Sequence, residues 1–427
     1  MKNVLVIVYY FPPMGGSGVQ RPLKFVKYLK EFGWNPIVLC PEPGAYHTFD
    51  DSLQKELDDM HVELYRIPVS TPFHKMSGGK PVKKVQTSDR LSKLLRRLSR
   101  LFFYPDNKRG WINPAIKKGE ELIREKNIEA IFSTAPPFSN HMAAAELKIR
   151  TGLPLVLDYR DSWVDNHFFT GLFGWQKRIM RKMEKKCLAQ ADVVTGLDPF
   201  MLQLIDERYP RLNLTGRVLP HGYDPEDFEE DTNSTLEYKD GKLNILYGGL
   251  FYESNQPDIF LKSLAELIKD DPAKTEQVEL HFQGGLEERH LDVIRRLGLD
   301  EITHDYGYLS HKEAVANIRK ADLLWMVSNF DKNLRQVKSG KLFEYIGSCK
   351  PILGLVHPGE ESRILSEYKA GFSAAPNDPD KVKVVLRQII EKWQDGSLEN
   401  ADPEFVKRFD RKALTEELAS IFNVISQ

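Results

Sequence analysis

A chain of 427 residues with 60 Lys and Arg against 61 Asp and Glu is long enough for two or three domains and carries a net charge of −1. That balance excludes nucleic-acid binding spread over the whole surface, so any basic partner surface has to be local. Three scattered cysteines, Cys40, Cys187 and Cys349, argue against a disulfide framework and fit a reducing cytoplasm, and no apolar run approaches the roughly 18 residues of a spanning helix.

The run Val4 to Tyr10 is continuous, apolar and β-branched, which predicts a strand buried on both faces. It reads as a first strand and not as a signal-peptide core, because no small-residue cleavage site follows and Pro12-Pro13 ends it. A glycine-rich loop, Gly15-Gly16-Ser17-Gly18, leads into a helix with Leu23, Val26 and Leu29 on one face. Gly33 closes that helix, and Pro36 to Cys40 is the next strand. Such a loop can turn backbone N–H groups toward an anion. It does not match the dinucleotide pattern G-x-G-x-x-G, and no acidic residue ends the second strand, so a nicotinamide-dependent oxidoreductase is not expected.

Residues 75–109 hold eleven Lys or Arg against two Asp. Leu91, Leu94, Leu95, Leu98, Leu101 and Phe102 recur at helical spacing, with Lys93, Arg96, Arg97 and Arg100 between them. A basic amphipathic helix of this kind fits an anionic membrane surface. The same pattern also fits leucines packed into a core with the cations in water, or a place beside an anionic nucleotide.

Ala130 to Thr134 predicts a strand running into Ala135-Pro136-Pro137 and a helix from Met142, with His141 just before it. Ligands of open α/β sheets gather at that edge. Pro154 to Leu157 predicts another strand, followed at once by Asp158-Tyr159-Arg160-Asp161. Charges placed there read either as a site or as an Asp–Arg pairing that ties a loop down. A basic amphipathic helix is expected over 175–190, and residues 223–242 are polar without apolar period, as an interdomain linker would be. From Leu243 the strand-and-helix pattern starts again, with glycine turns at Gly248-Gly249 and after Gln283 at Gly284-Gly285.

Between the apolar runs 323–327 and 352–356 lies a short helix whose start carries Lys338, Ser339, Gly340 and Lys341, with Glu344 one turn on. Unpaired N–H groups, a glycine and two lysines suit a diphosphate, and a carboxylate suits a ribose. Two solvated lysines on a surface helix would look the same in sequence.

Taken in order, these motifs resemble glycosyltransferase family 4, in its bacterial surface-polysaccharide branch. The resemblance rests on Tyr9-Tyr10-Phe11-Pro12-Pro13-Met14-Gly15-Gly16-Ser17-Gly18-Val19-Gln20-Arg21, on Thr134-Ala135-Pro136-Pro137, on Asp158 to Trp163, on Leu219-Pro220-His221-Gly222-Tyr223-Asp224, and on Gly340 to Tyr345 followed by Gly347 to Pro351. It implies the GT-B fold, two Rossmann-like α/β/α domains facing a central cleft. The expected division is 1–222 for the acceptor-side domain, 223–242 for the linker, 243–400 for the nucleotide-sugar domain, and 401–427 for a terminal segment whose helix returns to the first domain. It also implies retaining transfer of a sugar from a UDP- or GDP-linked donor to a lipid-linked or polysaccharide acceptor, without a cofactor or metal. Such an enzyme would work in the cytoplasm, at the inner face of the cell membrane.

By the same resemblance, Gly16, Ser17, Gln283, Gly284, Arg335, Lys338, Gly340, Lys341, Leu342 and Glu344 would bind the donor. Gly15, Gly18, Gln20 and Arg21 would form the acceptor-side loop, and His141 and Asp161 would act near the transferred sugar. Lys93, Arg96, Arg97 and Arg100 would touch the membrane. Two departures stand out. Gln336 occupies the place of the first glutamate of the family's paired acidic motif, and the turn at Gly248-Gly249 lacks the usual basic clamp, which Arg335 and Lys338 would have to replace. These departures leave two other readings open, a nucleotide-sugar epimerase of the same fold and a non-catalytic binding subunit.

Overall fold

The computed structural model describes residues 1–44, 49–69, 104–164, 173–229, 234, 236–251, 255–328 and 339–427. The chain divides into two compact units, Met1–Pro220 with Leu414–Gln427, and His221–Ala413. Lys93, Arg96, Arg97, Arg100, Arg335, Gln336 and Lys338 lie outside the described residues.

In the first unit the strands are β1 (Lys2–Ile7), β2 (Trp34–Pro41), β3 (Glu63–Ile67), β4 (Ile128–Ala135), β5 (Leu155–Tyr159), β6 (Val193–Gly196) and β7 (Gly216–Val218). They form a parallel sheet in the order β3-β2-β1-β4-β5-β6-β7. Alternate residues point to opposite faces of a strand. Accordingly Leu5 and Ile7 enter one core with Ile37, Leu39, Ile131 and Leu157, while Val4, Val6 and Val8 enter another with Val38, Phe132 and Val156. The helix Arg411–Ile425 closes the second of these cores through Leu414, Leu418, Ile421 and Phe422. Phe422 meets Trp34 with ring centroids 5.2 Å apart, and the Trp34 indole N–H donates to Asn423 Oδ1 at 3.2 Å.

The second unit repeats the plan. Its strands are β8 (Leu243–Gly248), β9 (Val278–Gln283), β10 (Thr303–Asp305), β11 (Leu323–Ser328), β12 (Ile352–Val356) and β13 (Gly371–Ala374), parallel and ordered β10-β9-β8-β11-β12-β13. Trp325 stacks on Phe260 at 3.9 Å and anchors one core. The segment read as a linker is largely built into this unit. Tyr223 and Leu236 are buried, Asp224 is 1% exposed, and Tyr223 lies so close to Gly347 that an added Cβ would stand 2.5 Å from its ring. In each unit the strand order reverses beside the first strand, β1 or β8, and that reversal opens a ligand crevice at the C-terminal strand ends.

One helix begins earlier than its sequence suggests. The spacing predicts a start at Met142, but the helix is Ser139–Thr151 and takes His141 into its first turn. Asp106 supplies the cap, accepting from the Ser139 N–H at 2.9 Å and its hydroxyl at 2.7 Å. A cap delivered from 33 residues away leaves no local signature.

Truncating Phe422 to Ala removes the aromatic contact that docks the terminal helix. The expected cost is about 3–5 kcal/mol, read as a fall in the urea midpoint; a change below about 1 kcal/mol would show that the helix is not held through this ring.

Candidate functional site

In the second unit, β8 ends at Gly248 and β9 at Gln283, and the turns that follow press against each other. Gly249 has φ +101° and Gly284 φ +129°, a region open to glycine. A Cβ on Gly284 would stand 2.5 Å from the Gly249 backbone. The turns are tied by their own amides. Gly249 N–H donates to Gln283 O at 2.5 Å, Gly284 N–H to Gly307 O at 2.6 Å, and Gly248 N–H to the Tyr345 hydroxyl at 2.8 Å.

Lys341 opens the helix Lys341–Gly347 and reaches across this turn. Its Nζ donates to the Tyr247 hydroxyl at 2.7 Å and lies 4.1 Å from that ring's centroid. Tyr247 in turn donates to Leu250 O at 3.3 Å, which fixes the phenol as an acceptor for the amine. A Cβ on Gly249 would meet Lys341 Cε at 2.6 Å and Nζ at 2.9 Å. The basic group missing from the local sequence of the turn is therefore delivered from the helix after β11. Burial pushes the Lys341 amine down to about 7, with the Glu344 carboxylate pulling the other way. A cation so poorly solvated gains much from a partly buried anion.

The other residues named from sequence in this unit divide clearly. Gly340 caps the short helix, and Glu344 is half-buried one turn beyond Lys341. Leu342 is fully buried among Leu246, Met326 and Val356, so its side chain serves the core. Gln283 is also turned inward: its amide donates to Ala314 O at 3.1 Å and accepts from Asn317 Nδ2 at 3.0 Å. The Ser339 N–H, expected to face an anion, donates to Glu361 Oε1 at 3.0 Å. Among the described residues, Lys341 brings a cation to this turn. Tyr247 and Tyr345, which give the turn its shape, had no role in the sequence reading; a buried tyrosine needs a hydroxyl partner, and that was the available signal.

In the first unit, Gly15 is buried, Gly16 has φ +100° and caps the helix Ser17–Tyr28, and the Gly18 carbonyl accepts from Arg160 Nη1. Arg160 Nη2 donates to Pro136 O, so this residue joins two loops through their carbonyls. Gln20 and Arg21 are buried. Arg21 is not presented by the loop: its Nη2 donates to Asp158 Oδ1 at 2.7 Å, its Nε to Oδ2 at 3.0 Å, and it also donates to the carbonyls of Leu219 and Pro220. Asp158, fully buried, further accepts from Thr134 and Thr195, each at 2.7 Å. Burial alone would raise this carboxyl, but the Arg21 charge and the hydrogen bonds from Arg21, Thr134 and Thr195 outweigh it and hold the pKa at about 2.

His141 is enclosed, with its ring 4.8 Å from that of Tyr159 and Nδ1 2.9 Å from Ser133 Oγ. Its Nε2 has no hydrogen-bond partner. Desolvation pushes the imidazole down to about 3, with Asp158 opposing and Arg160 assisting, so His141 is neutral near pH 7. It can exchange a hydrogen bond at Nε2 but does not serve there as a charged acid. Asp161 is half-buried just past β5.

Comparison with known proteins bears on the fold. Residues 15–216 match the family model for a glycosyl transferase 4-like domain. Among solved structures, Alr3699/HepE from Anabaena, in complex with UDP and glucose, matches at 13% identity over 99% of this chain and 100% of its own, with a TM-score of 0.66. Sucrose-phosphate synthase from Thermosynechococcus elongatus matches at 13% identity over 99% and 98%, with a TM-score of 0.63. The lipopolysaccharide outer core galactosyltransferase WaaB, in its apo form, matches at 14% identity over 99% of each chain, with a TM-score of 0.59. No curated protein sequence matches.

Replacing Arg21 with Met leaves the Asp158 charge buried and unpaired, with an expected cost of about 3–5 kcal/mol in denaturant unfolding. In the parent protein the folded pKa of Asp158 lies below its unfolded value. Its contribution is therefore complete above about pH 4 and is lost as pH falls toward about 2. Acid unfolding that keeps the same pH dependence in Asp158→Asn would contradict this assignment.

Proposed function

We propose that this chain, which carries a glycosyl transferase 4-like domain over residues 15–216 and has the two-sheet GT-B fold, is a retaining glycosyltransferase. It would move a sugar from a nucleotide-sugar donor, UDP- or GDP-linked, to a lipid-linked or polysaccharide acceptor in cell-surface glycan synthesis. The observation that carries this reading is Lys341, a poorly solvated amine held by Tyr247 over the Gly248-Gly249 turn at the C-terminal end of β8. UDP is the first ligand to try, because Alr3699/HepE was solved with UDP and glucose. The likeness to WaaB supports an acceptor of the cell envelope.

In this reading, charge builds on the leaving diphosphate as the bond to the anomeric carbon breaks. Lys341 offsets that charge where water is scarce, so the interaction strengthens toward the transition state. The acceptor hydroxyl attacks from the face the diphosphate leaves, its proton passes to a leaving phosphate oxygen, and configuration is retained. Glu344 would take the ribose hydroxyls. No metal ion is required, since Lys341 supplies the positive charge. The enzyme would work in the cytoplasm at the inner membrane face, with Lys93, Arg96, Arg97 and Arg100 toward the lipid.

Thermal unfolding with UDP, GDP and their sugars tests donor binding. A ligand at 100 times its Kd should add about 2.7 kcal/mol. If none of them raises the melting temperature, the reading fails. Slow release of free sugar from the stabilising donor supports a transferase, whereas an isomeric nucleotide sugar would identify an epimerase. Stabilisation without turnover, even when acceptor extracts are added, would identify a binding subunit.

The amine of Lys341 also sets a pH dependence. In the free protein it is neutral above about 7, while the bound diphosphate favours the ammonium, so binding takes up a proton at higher pH. UDP affinity should therefore fall between pH 7.5 and 9, by up to about tenfold per unit. Calorimetry should show proton uptake, and Lys341→Arg should flatten the slope. Lys341→Met should weaken UDP by about 1.5–3 kcal/mol at pH 7.

A further inference from the structure

The helix Gly174–Leu188 has a basic face that neither the core nor the proposed donor site explains. Lys177, Arg178, Arg181, Lys182, Lys185 and Lys186 are all exposed. At 3.6 residues per turn they cover about half of the helix circumference, over about 14 Å of length. The buried residues Gln176, Met180, Glu184, Cys187 and Leu188 lie mainly on the opposite side. Glu184 is the helix's one acid, and it is turned inward, accepting from Arg208 at 3.0 Å and from the Tyr209 hydroxyl at 2.7 Å. Of the six cations, Lys186 has a carboxylate near it, Glu146 at 3.4 Å, and Glu184 faces Arg181 from within.

Two aromatic residues stand at the start of this face. Phe173 is 60% exposed and Trp175 53%, with Trp175 edge-on to Tyr104 at 6.3 Å. Among the described residues, packing leaves more than half of each ring uncovered beside a row of cations. A surface built for water alone mixes charge signs and keeps such rings covered. Rings at one end and cations along the length are what an interfacial helix needs: the rings enter the boundary between headgroups and acyl chains while the cations meet anionic headgroups.

We propose that the exposed face of Gly174–Leu188, led by Phe173 and Trp175, is a docking surface for an anionic phospholipid bilayer, with the helix lying in the plane of the headgroups. A nucleic acid would also attract the cations, but it gives the two apolar rings no apolar medium to enter. The proposal shares the membrane with the function proposed above, yet it rests on different residues and is read separately from nucleotide binding.

The test is sedimentation of the full chain with vesicles of phosphatidylcholine, with and without about one-third phosphatidylglycerol. The parent protein should bind the anionic vesicles and not the neutral ones, and binding should weaken in high salt. Each cation removed near the surface is expected to weaken partitioning about fivefold, so the combined variant Lys177→Gln, Arg178→Gln, Arg181→Gln, Lys182→Gln should lose nearly all binding. Trp175→Ala should weaken binding about tenfold and leave heparin retention unchanged. Urea midpoints equal to that of the parent confirm that both variants are folded. Undiminished sedimentation of the four-fold variant overturns the proposal. So does a four-fold variant that loses heparin retention while Trp175→Ala sediments like the parent, since that marks a general polyanion surface. If UDP fails to stabilise the parent while the vesicle results hold, the docking surface stands and the donor reading falls. The reverse pattern leaves the donor site and removes this surface.

Discussion

A carboxylate without access to water has to be charged by its neighbours or not at all, and the first unit is arranged around one that is charged. Asp158 sits within β5 and draws donors from the helix after β1, from β4 and from β6. Arg21 completes the set and also grips the carbonyls of Leu219 and Pro220, where the first unit's main segment ends. Four elements thus share one buried charge, and a shift in any of them would leave it in an unfavourable medium without compensation. Arg160 makes a second junction nearby, joining the start of the helix after β1 to the loop after β4 through two backbone carbonyls. The start of that helix is thus tied to a residue about 140 positions away in sequence.

The second unit handles charge in the opposite way. Among the described residues its amine has no ion-pair partner and rests on a phenol, so its burial makes protonation costly. Around it lie two glycine turns in contact, a tyrosine hydroxyl accepting an amide, and a core with stacked rings beneath. In the proposed reaction, such a setting would suit an amine that meets charge developing on the leaving diphosphate.

The architecture was largely legible. Continuous apolar runs at Val4, Ala130, Leu243 and Leu323 marked central strands because parallel strands are buried on both faces, and glycine turns marked where they end. The terminal helix announced its apolar face through Leu414, Leu418 and Phe422. Local pattern failed where a single long-range partner decides the outcome. Asp106 capping Ser139 moved a helix start by three residues, and Arg21 reaching Asp158 turned a loop residue into a core one. At the candidate site, Lys341 was visible as a cation, but its arrival at Gly249 depends on the pairing of β8 with β11, which spacing does not encode. Gln283 and Leu342 show the converse: proximity to a motif says little about which way a side chain turns.

The contact between Gly249 and Gly284 bears on how this protein can change over generations. Each position needs a backbone shape that side chains resist, and each presses on something that cannot yield cheaply: Lys341 in one case, the opposing main chain in the other. A lineage drifting toward a new donor has little freedom at either residue, because the first step in any direction separates the turns and displaces the amine together. If the turn binds the proposed donor, variation in ligand preference would come from more exposed positions such as Leu250. The pair thus works as a fixed hinge pin for the site's evolution, permitting change at the rim while holding the anion-facing centre constant.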